Sequence, residues 1–86
     1  MNDVSEIRDE LARIASELRS EQRDAVASRI EALNSTFFTT TTEYLVESLD
    51  MIDEFASAGT MQRLSTAMKE RIESLRTDAR RLANLR

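Results

Sequence analysis

Gly59 is the only glycine in the 86-residue chain, and proline is absent. These two residues stop helices most strongly, one through excess backbone freedom and the other through a missing N–H and a ring clash. The single glycine follows a helix-like stretch as Ala58-Gly59-Thr60. That is the position of a left-handed C-terminal cap, and it predicts an abrupt reversal of the chain. The fold class that follows is all-α, an antiparallel, coiled-coil-like helical bundle forming a single domain over residues 1–86.

Hydrophobic spacing supports this reading. Val4, Ile7, Leu11, Ile14 and Leu18 recur at intervals of three and four, the stripe of an amphipathic helix. Asn2 or Asp3 is placed to cap it, and Asp3, Glu6, Asp9 and Glu10 lie where the helix dipole favours negative charge. The stripe falters over residues 19–24 and resumes as Val26, Ile30, Leu33 and Phe37, rotated by about 80–90° if the helix runs straight. With no breaker present, a stutter or gentle bend within one helix is expected, and a cap at Ser20 with a true break is the alternative.

Residues 34–42, Asn-Ser-Thr-Phe-Phe-Thr-Thr-Thr-Thr, are β-branched enough to suggest a strand, but a lone strand has no partner in this chain. Asn34 or Ser35 is placed to cap a new helix, and Thr40 with Glu43 matches a capping box. Phe37, Phe38, Tyr44, Leu45, Leu49, Met51, Ile52, Phe55 and Ala56 then fill an arc of about 160°, wide enough to touch two neighbouring helices. After Gly59, Met61, Met68, Leu75 and Leu82 alternate with Ser65, Ile72, Ala79 and Arg86 as heptads, Leu64 and Leu85 widen the stripe, and Thr60 is the expected N-cap.

Three helices are therefore predicted, near 3–33, 36–57 and 60–85. The alternative is one long helix from 3 to 57 folded back on a shorter one as an unequal hairpin. At 1.5 Å per residue the first helix measures about 46 Å and overhangs its neighbours. Its stripe of Val4, Ile7, Leu11, Ile14 and Leu18, with Phe37, is then the expected interface of a dimer to tetramer that completes the bundle. So short a chain gains from such assembly, since it buries only about 60–65% of its unfolded surface and has no cysteine for disulfides.

Chemistry is constrained by absence. The sequence contains no histidine, cysteine or tryptophan, the first two being the usual nucleophiles, bases and transition-metal ligands near neutral pH. No cofactor, metal site or catalytic residue is expected, and the chain reads as a non-enzyme. The acidic, amphipathic start lacks the basic and apolar runs of a leader, and no apolar stretch reaches the ~20 residues needed to span a bilayer. A cytoplasmic protein that does not act at membranes is the expectation. The size suggests the short helical-hairpin secretion proteins with a Trp-x-Gly turn, but without tryptophan, and with its turn far from mid-chain, the sequence does not match them.

Charge supplies the candidate sites. Residues 1–33 carry five arginines against eight acids, residues 34–59 carry five acids and no basic residue, and residues 60–86 carry seven basic residues against three acids. Glu43, Glu47, Asp50 and Glu54 collect within an arc of about 60° opposite the apolar face of the central helix. The expected use is a docking face for a basic protein partner. Arg76, Arg80 and Arg81 form a basic end on the last helix. Arg76 flanks the apolar stripe and is expected to pair with acids of the central helix or of a second subunit. The remaining uses are an acidic partner or, as the rival reading, nucleic acid. The leading expectation is thus a homo-oligomeric interaction module acting as a small adaptor, chaperone-like factor or regulatory inhibitor.

Overall fold

The computed structural model describes residues 1–84; Leu85 and Arg86, which the sequence assigns to the last stripe and its basic end, lie outside the described residues. The described chain is all-helical, with four helices: α1 (Val4–Ser20), α2 (Asp24–Ser35), α3 (Thr41–Ser57) and α4 (Thr66–Asn84), and a single 3₁₀ turn at Met61–Arg63.

The expected first helix, 3–33, is two helices. Its break is a complete C-terminal cap built without glycine: Gln22 adopts φ 64°, its N–H donates to the Arg19 carbonyl, and the Arg23 N–H donates to the Leu18 carbonyl at 2.8 Å. This is the Schellman pairing, which satisfies the last carbonyls of α1. The rotation between the two stripes is resolved by reversing the chain, not by bending it, so each stripe faces the same core.

The other boundaries follow from caps. Asp3 accepts the Glu6 N–H at 3.0 Å, and Thr40 accepts the Glu43 N–H at 3.1 Å. Residues 36–40 form a non-helical link whose ends, Thr36 and Thr40, are extended. The central helix accordingly starts at Thr41 and not at 36. Gly59 takes φ 76° as its position predicts. The last helix begins six residues later than expected, at Thr66, because the 3₁₀ turn intervenes and Ser65, not Thr60, accepts the first-turn N–H, that of Met68, at 3.2 Å.

Consecutive helices run antiparallel, as the cross-helix bonds show. Arg8 of α1 meets Asn34 of α2, Arg29 of α2 meets Glu54 of α3, Arg76 of α4 meets Asp53 of α3, and Arg71 of α4 returns to Glu10 and Glu17 of α1. The result is an up-down-up-down bundle measuring 35 × 22 × 21 Å, in which each helix has two neighbours.

The core contains Ile7, Leu11, Ile14 and Leu18 from α1, Ile30 and Leu33 from α2, Tyr44, Leu45, Met51, Ile52 and Phe55 from α3, and Met68, Ile72, Leu75 and Leu82 from α4. The overhang expected of the first helix is absent. α1 is 17 residues long, the same as α3, so Ile7 and Leu11 are covered by the chain's own helices, and Val4 packs against the edge of the core. The uncovered stripe that argued for oligomer completion is spent inside one chain.

One polar knot joins three helices. The Tyr44 hydroxyl donates to Asn34 Oδ1 at 2.6 Å, Asn34 Nδ2 donates to the Arg8 carbonyl, and Arg8 donates to the Asn34 carbonyl at 3.1 Å. The Arg8 guanidinium also lies 4.5 Å from the Tyr44 ring centroid, within cation–π range.

Candidate partner-binding surface on the third helix

α3 points three kinds of side chain in three directions. Tyr44, Leu45, Ser48, Met51, Ile52 and Phe55 enter the core. At about 100° per residue the remaining positions form two outward ridges. Thr42, Val46 and Leu49 make one, on the side of α4. Glu43, Glu47, Asp50 and Glu54 make the other, on the side of α2, and all four are exposed.

The acidic ridge is only partly used by the fold. Glu54 receives the Arg29 guanidinium through two hydrogen bonds of 3.1 and 3.3 Å. Among the described residues, no basic group forms an ion pair with Glu43, Glu47 or Asp50. Nor do any three carboxylates among the described residues converge as a metal ion would require. Lined up along a helix, they present a diffuse negative edge.

The apolar ridge meets the link before α3. Phe38 turns inward and packs edge-on against Tyr44, with ring centroids 5.7 Å apart and an interplanar angle of 74°. Phe37 turns outward and is 88% exposed, and Val46 is 44% exposed. Two adjacent aromatic residues cannot face one seam together, so ordering Phe38 against Tyr44 leaves Phe37 outside. Beside Phe38 and Val46 lies a shallow groove of about 210 Å³ lined by Phe38, Thr42, Glu43, Val46 and Glu47. The groove thus has an apolar floor and two unpaired carboxylates on its rim.

The basic end of α4 is organised differently. Arg76 is only 22% exposed and binds Asp53 of α3 as well as Glu73 at 3.3 Å. Arg81 donates to the Met1 carbonyl at 2.5 Å and lies 3.5 Å from Asp78. Arg80 alone of the three is exposed and without an ion-pair partner among the described residues. Arg71, by joining Glu10 at 2.6 Å and Glu17, serves as the strap between α1 and α4.

Sequence reasoning named the four acids and Phe37, but not the groove beside them. Thr42 and Val46, four apart on the outward side, lie outside the apolar arc read from the sequence, and their spacing is the signal that marks the groove. Of the candidate interface residues, Ile7, Leu11, Ile14 and Leu18 are interior, Val4 is half-buried and only Phe37 projects.

No family model matches this chain, and neither curated proteins nor solved structures give a match. Among the described residues, no helix is long and apolar enough to cross a membrane.

Proposed function

We propose that the chain is a non-enzymatic protein–protein interaction module, a small adaptor, chaperone-like factor or regulatory inhibitor, that engages a basic protein partner through the outward face of α3. The observation that carries this reading is an exposed Phe37 and Val46 beside a groove whose rim carboxylates have no ion partner in the described chain. Exposed aromatic and aliphatic side chains anchor interfaces, and neighbouring unpaired charge steers and orients the partner. The nucleic-acid reading draws no support from α4, because Arg76 and Arg81 are engaged within the fold.

Self-association is the competing reading of the same face. The stripes of α1 no longer require it, and a second copy on the Phe37 face would bring two acidic ridges together. Molar mass by light scattering across a concentration range measures this directly.

The docking face itself is tested by panning a library of displayed peptides of mixed conformation against the immobilised chain. Enriched binders that are lost on the E43K/E47K/D50K variant, at unchanged helix content, support the proposal. Binders retained by that variant overturn it.

A further inference from the structure

The inference rests on the reading of α3's outward face as a docking surface and specifies its occupant. We propose that the partner presents a basic amphipathic helix, laid along α3 with one bulky apolar side chain in the groove between Phe38, Thr42 and Val46 and a row of lysines or arginines over Glu43, Glu47 and Asp50.

The form of the occupant follows from what α3 offers. Among the described residues there is no strand, so a peptide cannot be recognised by adding to a sheet edge. Recognition must come through side chains, and those of α3 are arranged as two parallel ridges. The ridges run from Thr42 to Asp50, about 12 Å at 1.5 Å per residue. A second helix of about three turns covers that length, placing residues at i, i+4 and i+7 on one side of the contact. Its apolar row would meet Thr42, Val46 and Leu49, and its adjacent row would meet the acids.

Charge decides between this occupant and a second copy of the chain. The face has three acids without ion partners among the described residues, and residues 34–59 contain no basic residue at all. Two such faces approaching each other repel, whereas a basic helix is attracted at range and fixed in register on contact.

The test uses the full chain, isotope-labelled for NMR, and three 20-residue peptides. The first is a helix former with leucine at i, i+4 and i+7 and lysine on the adjoining side. The second has the same composition with a central proline that breaks the helix. The third keeps the helix but replaces lysine with glutamate. Saturable shifts at Phe38, Thr42, Val46 and Glu47 with the first peptide, at least tenfold weaker with the other two and with V46D or E43Q/E47Q/D50Q, are the expected result. Both variants change exposed positions, and circular dichroism verifies that they fold. Equal binding of the proline-broken peptide at the same residues overturns the helical occupant while leaving the docking face intact. No shift on α3 with any of the three overturns the occupant and argues against the face as well. Concentration-dependent dimerisation abolished by V46D replaces the partner with a second copy and also overturns the proposal.

Discussion

Gln22 holds a backbone conformation, φ 64°, that costs an ordinary L-residue about 1 kcal/mol and costs glycine almost nothing. The α1 cap is therefore formed against local preference, sustained by the Arg23-to-Leu18 and Gln22-to-Arg19 bonds. Gln22→Gly is expected to raise stability by about 0.5–1 kcal/mol, the gain in αL preference exceeding the added freedom of the unfolded chain. Urea unfolding measures it, and a loss of stability would contradict the assigned cap. At Gly59 the reverse change to alanine should cost about 1 kcal/mol through φ, since the added Cβ meets only the flexible Gln62 side chain at 3.3 Å.

The polar knot makes a second prediction at this scale. Asn34→Ala leaves the Tyr44 hydroxyl without its acceptor in a buried site, at a cost of about 1–3 kcal/mol. In a Tyr44→Phe background the same change should cost distinctly less, and a double-mutant cycle with no coupling would refute the bond. Burial pushes the Tyr44 hydroxyl pKa upward, partly opposed by the nearby Arg8 charge. The unfolded phenol ionises near pH 10, so the folded state's advantage is intact below that pH. It declines as pH rises beyond it, because the unfolded chain loses its proton first. Tyr44 is the only tyrosine, so tyrosinate absorbance followed alongside helix content should show ionisation accompanying unfolding.

At the scale of the element, Thr40 is the most informative position. Its side chain caps α3 through the Glu43 N–H, and Thr40→Ala should lower stability by about 1 kcal/mol while Thr40→Ser restores most of it. Denaturant midpoints for the two variants decide it. Thr40 and the Thr39–Thr42 run also show what the sequence makes legible. The all-α class, the Asp3 and Gly59 boundaries, the Thr40–Glu43 capping pair (though not the helix start it sets) and the heptads of α4 all come from local chemistry, which is written in neighbouring residues. The α1–α2 break is not, because Gln22 has no intrinsic left-handed preference; the reversal is imposed by burying both stripes. The rotation between Leu18 and Val26 recorded that break, and reading it as a stutter assumed that only glycine or proline can stop a helix. On α3 the acids were legible because charge on an outward arc requires no tertiary knowledge. The groove was not, since whether Phe37 or Phe38 turns inward depends on where Tyr44 lies in the folded core.

For the whole molecule, shortening the first helix changes how the bundle is closed. Four helices of 12 to 19 residues form a ring, with α1 strapped to α4 through Arg71. The α1–α2 hairpin is then not expected to fold by itself. The α1–α2 half is below the ~40 residues at which a chain without disulfides or metal usually folds alone, and its buried Ile7, Leu11 and Leu18 are in a core shared with α3 and α4. Unfolding should therefore be a single cooperative event. Tyr44 sits where α1, α2 and α3 meet, so its fluorescence reports their junction, while far-ultraviolet circular dichroism reports all four helices. Coincident urea transitions from the two probes are the expected outcome. A tyrosine transition preceding the loss of helix would mean that the hairpins separate first and that the ring is held at one seam only. Arg71→Ala, which removes the α1–α4 strap, should lower the unfolding free energy by up to about 1 kcal/mol, less at high salt, moving the shared midpoint down without separating the two curves.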